Sequence, residues 1–185
     1  MSVPESMSHL SLHDEDHEPR LFIADLIDRI VKWIGHVVCW ANGILILVII
    51  FNVVLRYGFG KGHPAIEELQ WHLYALTVMM GVSYAQVTDS HVRVDVIAMR
   101  LSERTIRLWE IFGILIFVFP FVFAVFWHSL DFVTESFRLN ESSDAPLGLP
   151  WRWAIKAVIP ISFGLLGLAC LSRLLHDVGA LWRRK

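Results

Sequence analysis

RYGFGKGHPAIEELQWHLYALTVMMGVSYAQVTDSHVRVDV, running from Arg56 to Val96, decides the fold. It opens on a polar, glycine-rich turn, passes two adjacent acids, Glu67 and Glu68, and then continues from Leu69 to Thr88 without Asp, Glu, Lys or Arg. A helix of roughly 20 residues, at about 1.5 Å rise each, covers the ~30 Å hydrocarbon thickness of a bilayer. The stretch therefore reads as one membrane crossing with charge at both ends. Pro64 suits a first helical turn, and Glu67 and Glu68 place negative charge at the positive end of the helix dipole. Adjacent helical residues point about 100° apart, so at least one of the two acids has to face a neighbour or turn away from water.

The same pattern extends outward from this stretch. Upstream, Phe22, Leu26, Ile30 and Ile34 recur at helical spacing among Asp25, Asp28, Arg29 and Lys32, which predicts an amphipathic helix along the membrane surface. Trp33 to Leu55 carries no Asp, Glu, Lys or Arg and predicts the first span. Downstream, Ser102 and Glu103 form a helix start, with Leu101 positioned to staple onto Ile106. The third span runs from Ile111 to Leu130, with Pro120 expected to kink it. After a long loop containing Pro146, Gly148 and Pro150, the interfacial pair Trp151 and Trp153 leads into a fourth span, 153–172. There Lys156 snorkels to the interface, and Pro160, Gly164 and Gly167 allow a kink and close packing.

The expected architecture is an all-α integral membrane protein: four transmembrane helices, at about 33–55, 69–88, 111–130 and 153–172, with an amphipathic N-terminal interfacial helix. Residues 21–185 form this membrane domain, and residues 1–20, polar and rich in Asp, Glu and His, form a disordered cytoplasmic tail. The tail lacks a basic start followed directly by an apolar core, so it is not read as a signal peptide. Its histidines and acids read as a solvated segment, because no ordered scaffold is evident to fix metal ligands. A chain 55% hydrophobic with eight Trp fits the membrane class, and its net charge of -2 gives it no general affinity for nucleic acid. Cys39 and Cys170 each lie in apolar runs and read as small buried hydrophobes. With both termini inside, eleven Lys and Arg fall on the cytoplasmic side and five outside, which favours that orientation.

Several function classes drop out. Gly58-Phe59-Gly60-Lys61-Gly62 lacks the spacing and the Lys-Ser/Thr ending of a phosphate-binding loop. No constellation suggests hydrolysis, and neither catalytic, cofactor-binding nor metal-ligating residues are expected. No Asp or Glu lies well inside a predicted span, and no pair of halves with matching broken helices marks a self-sufficient transporter. The simplest reading is an accessory or scaffold subunit.

Asn52-Val-Val-Leu-Arg56-Tyr57, Glu67-Glu68-Leu69, Gly81 and His91-Val-Arg93-Val-Asp95, in that order, resemble the small membrane subunit of tripartite ATP-independent periplasmic (TRAP) transporters, the DctQ type. The resemblance extends from about Trp33 to Leu175. Asp144 to Lys156, followed by Ile159-Pro160, is similar to the family's longer-loop branch. It implies a sodium-driven importer of an organic anion, often a carboxylate, in the bacterial inner membrane. It also implies two protein partners, a large membrane subunit that holds the substrate and sodium sites and a periplasmic substrate-binding protein. Candidate subunit-contact or structural residues are Arg56, Glu67, Glu68, Trp71, Arg93 and Asp95. In His91 to Val96 the valines alternate with His91, Arg93 and Asp95, so an extended turn separates an apolar from a polar side. The second reading is a haem-carrying anchor of a redox complex, with His72 and His128 as axial ligands at similar depth. A small multidrug exporter also has four spans, but needs an acidic residue within one.

Overall fold

The computed structural model describes residues 22–88, 90 and 102–183, and among them the only regular structure is helical. Helix α1 is Phe22–Gly58 and α2 is Pro64–Val87. A third, long helix has three parts: α3 (Glu103–Gly113), a π turn (Ile114–Val118) and α4 (Phe119–Arg138). Helix α5 is Arg152–Arg183.

Side-chain contacts give the direction of each helix. Arg56 meets Glu67 while Gly35 and His36 meet Tyr84, so α1 and α2 are antiparallel. Phe137 meets Trp153 and Phe121 meets Phe163, so α4 and α5 are antiparallel too. The start of α1 lies against the end of α5, where Ser172 Oγ donates to the Ala24 carbonyl at 3.2 Å. One end of the bundle thus carries the α1–α2 turn and the loop 139–151, and is called the hairpin end below. The other, the terminal end, carries the start of α1, the start of α3 and the end of α5.

Two expectations about the helices are corrected here. Among the described residues three helices, not four, are long and apolar enough to cross a membrane: Phe22–Gly58, Arg104–Arg138 and Arg152–Trp182, each with an 18-residue stretch whose mean hydropathy is 2.5, 2.4 and 2.0 in turn. Helix α2 has 24 residues, enough length, but carries Gln70, His72, Thr77, Ser83 and Gln86. It packs against both α1 and α5. A helix covered by neighbours can carry polar side chains where those neighbours offer partners, and Ser83 Oγ donates to the Ser162 carbonyl of α5 at 3.1 Å. The amphipathic interfacial helix is likewise not a separate element. Phe22 to Gly58 is one uninterrupted helix of 37 residues, because neither Pro nor a Gly pair breaks it. Its polar first turns dock on α5, burying Ala24 and Val31.

Ser102 caps α3 as expected, its hydroxyl accepting from the Thr105 amide at 3.3 Å; the Leu101 staple lies outside the described residues. Pro120 is met by the π turn just before it. Proline has no N–H and its ring collides with the carbonyl four residues back. Here the turn widens, and the Phe119 amide bonds the carbonyl of Ile114, five residues back. Ile114, Cys170 and Leu174 form a buried core, with Ile111, Val118, Phe119 and Leu166 packed on it. Cys39, expected to be buried like Cys170, is exposed on α1, since its turn of the helix faces away from the other helices.

Glycines set two close approaches. A Cβ at Gly35 would lie 2.2 Å from the Tyr84 ring, so only glycine lets that ring rest on α1. A Cβ at Gly167 would be 3.3 Å from Val122, which is the tight α4–α5 packing expected of that position.

Candidate functional site

At the hairpin end the two adjacent acids diverge. Glu67 faces α1 and pairs with Arg56 at 3.3 Å, both partly exposed. Glu68 points to the loop instead, accepting from Ser143 Oγ and, at 2.7 Å, from the Leu149 amide. These two hydrogen bonds hold its carboxyl below the usual carboxylate range. Ser143 also accepts from the Ala145 amide at 3.1 Å, so one carboxylate organises the loop from 143 to 149. Gly148 sits inside this knot: a Cβ there would lie 2.4 Å from Ser143 Oγ and 2.9 Å from Glu68 Oε1.

The rest of the loop is pinned by a second group of charges. Glu141 takes the ammonium of Lys156, which also lies 4.0 Å over the ring of Phe132. Lys156 is therefore clamped to protein, and its ion pair lowers the Glu141 pKa. Arg152 bonds Asp144 at 3.0 Å and lies 3.9 Å from Glu141. So held, the loop keeps three non-glycine residues at positive φ, Asn140, Leu147 and Trp151, a conformation that costs about 1 kcal/mol or more per residue. Leu147 and Trp151 are exposed, as is Trp71 on the adjacent α2.

At the terminal end a second cluster joins three helices. Arg107 on α3 bonds Asp177 on α5 at 3.1 Å, and Arg173 bonds Glu110 at 3.0 Å and reaches Asp177 at 3.5 Å. Asp177 is 1% exposed, a buried carboxylate between two guanidinium groups. Helix α1 joins through Asp28, which accepts from Ser172, and through Asp25 and Asp28, 3.9 and 3.6 Å from His176 Nε2. Reading the sequence by uncharged runs missed this cluster. Its signal was the pair of spacings Arg107/Glu110 and Arg173/Asp177, three and four residues apart, each putting opposite charges on one face of a helix.

Of the sequence candidates, the structure brings Arg56 to Glu67 and Glu68 to the loop, and leaves Trp71 exposed nearby. Arg93 and Asp95, with the whole alternating turn His91 to Val96, lie outside the described residues. His72 and His128 each direct Nδ1 at a carbonyl one helical turn back, Glu68 O at 2.6 Å and Ala124 O at 2.9 Å.

A helical membrane protein emerges whose acids and bases tie its own helices and loop together. The family model described as tripartite ATP-independent periplasmic transporters, DctQ component, matches residues 45–180, well over half of the chain. The chain belongs to this family: it is the small membrane subunit of a TRAP transporter. A search of curated proteins returned no match.

Proposed function

We propose that this subunit is the accessory scaffold of a sodium-driven importer that receives an organic anion, a carboxylate, from a periplasmic binding protein and passes it through a large membrane subunit. The reading places residues 21–185 in the inner membrane with both termini cytoplasmic, so that the hairpin end faces the periplasm. The observation that carries it is the engagement of the charged side chains with one another. Glu67, Glu68, Glu141, Glu110 and Asp177 each face an internal partner. A subunit whose charges hold its own frame leaves sodium and anion to the large subunit. No observation favours the haem alternative.

Reconstitution tests the reading. Proteoliposomes holding this subunit alone are expected to take up no organic anion, whereas the complex with its large subunit, given loaded binding protein and a sodium gradient, is expected to do so. Sodium-dependent uptake by the small subunit alone would contradict the scaffold role. Orientation is read separately, from single cysteines at the exposed positions Ser142 and Ser102, one at each end of the long third helix. In intact cells an impermeant thiol reagent is expected to label Ser142→Cys and not Ser102→Cys.

A further inference from the structure

Along the outer side of the α1–α2 pair runs a groove of about 390 Å³, bordered by Asn52 and Arg56 from α1 and by Glu67, Gln70, Trp71 and Tyr74 from α2. Two features set it apart from the lipid-facing apolar surface elsewhere. The first is a pair of unmet polar atoms. Asn52 is 7% exposed, yet its Oδ1 has no hydrogen-bond partner, and neither has the buried Nε2 of Gln70. Asn52 lies six residues before the end of α1 and Gln70 six residues after the start of α2. Both are therefore about 9 Å along the helices from the turn, facing the same groove at one depth. A buried carbonyl or amide without a partner is destabilising, most of all beside hydrocarbon, where lipid tails supply neither donor nor acceptor.

The second feature is composition. Trp71 and Tyr74 are 72% and 58% exposed on the rim, beside the half-exposed ion pair of Arg56 and Glu67. Trp, Tyr and Arg are the residue types that most often dominate binding energy at protein interfaces. An acceptor and a donor at one depth, flanked by aromatic rings and an ion pair, fit a partner helix better than an acyl chain. Such a helix needs a side chain that both donates and accepts, a hydroxyl or a carboxamide, and small neighbours that permit close approach.

We propose that the groove around Asn52 and Gln70 receives a transmembrane helix of the large subunit, which donates to Asn52 Oδ1 and accepts from Gln70 Nε2. This rests on the assembly stated under Proposed function and adds the face through which it occurs. Residues Leu47 and Val54 mark the opposite side of α1, two positions from Ile49 and Asn52 and hence about 160–200° round the axis. They are 66% and 51% exposed.

The test uses the co-expressed complex with a benzophenone amino acid at Trp71, Tyr74, Leu47 or Val54 in turn. Irradiation is expected to join the large subunit to positions 71 and 74 and not to 47 or 54. Adducts with the large subunit at 47 or 54 alone would overturn the assignment, as would adducts at 71 and 74 only with lipid or with a second copy of this chain. In parallel, Asn52→Leu is expected to lower the co-purified large subunit about three-fold or more at an unchanged membrane level of the small subunit. Unaltered co-purification would mean that Asn52 and Gln70 satisfy each other, and would also overturn it. If the unmodified small subunit captures no large subunit, the assembly reading itself falls. If the complex forms and transports but cross-links elsewhere, only the groove assignment does.

Discussion

The two ends of the bundle use charge in opposite ways. At the terminal end, Arg107, Glu110, Arg173 and Asp177 join α3 to α5, with Asp177 almost fully buried. At the hairpin end, Glu68 and Glu141 shape a loop, and most of the charged groups there keep some contact with water. A buried charge shared by two bases fixes helices relative to each other, and its loss takes a partner from both. A carboxylate that accepts from a loop fixes only that loop. The terminal end is therefore expected to govern the stability of the whole chain, and the hairpin end the shape of one surface.

The largest effect is expected from Asp177→Ala, which removes the buried carboxylate from between two guanidinium groups and leaves Arg173 to Glu110. Removing one partner of a buried ionic cluster typically destabilises by about 3–5 kcal/mol. Thermal unfolding in detergent measures this, and a loss below about 1 kcal/mol would erase the contrast between the ends. Replacing Arg107, Glu110, Arg173 and Asp177 together with apolar residues of similar volume should recover much of the loss, because none of the four charges then stays behind without its partner.

Glu68→Gln is expected to act next and more locally. It keeps the shape but gives up the charge that receives Ser143 Oγ and the Leu149 amide. Hydrogen exchange at Leu149 and neighbouring loop amides should speed up while the helices stay protected. The same bond gives a pH dependence with a definite sign. Because the folded carboxyl titrates below its ordinary value of 4.5, its contribution is complete above that pH and fades as pH falls towards the depressed folded value. The loop should therefore loosen in acid in the wild type and show no such step in Glu68→Gln. Loosening throughout the helices on this substitution would break the comparison.

Gly148→Ala should weaken the same loop by steric means, since its Cβ would collide with Ser143 and crowd Glu68. Limited proteolysis between 139 and 151 is expected to quicken, without a change in overall helix content. The smallest effect belongs to Arg138→Ala. Its pair with Glu135, 3.0 Å apart, is more than half exposed on both sides, so a change within about 0.5 kcal/mol is expected from thermal unfolding.

The residues show how much of this was legible in the sequence. Long runs without charge marked α1, the third helix and α5, because hydrocarbon exposure demands apolar side chains over the whole length of a crossing. The divergence of Glu67 and Glu68 followed from the 100° step between neighbours. Helix α2 was given the same weight as the other three, because counting charges alone passes over Gln70, His72, Ser83 and Gln86, which lower its hydropathy. The docking of the start of α1 on α5 through Asp25 and Asp28 rests on contacts with Ser172 and His176, which local pattern does not contain. The same holds for both charged clusters: Arg107 and Asp177 are 70 residues apart, and Glu68 and Leu149 are 81 apart. Pairings at such separations are decided by which helix ends meet, and a single chain read in order does not give that.

The π turn at Ile114–Val118 has a consequence for counting residues. Buried positions along α4 recur every seven residues, at Val122, Ser129 and Ser136, but the step back to buried Ile114 is eight. In an unbroken α-helix seven residues return to within about 20° of the same face, and an eighth carries the chain about 100° further round. The widened turn absorbs that extra residue, so one continuous stripe meets α5 on both sides of Pro120. A relative with one residue fewer between Gly113 and Pro120 is expected to close the turn and present the same stripe. When two such chains are aligned, the gap belongs inside this helix and not in the flanking loops, and moving it to a loop would rotate every downstream core position out of phase.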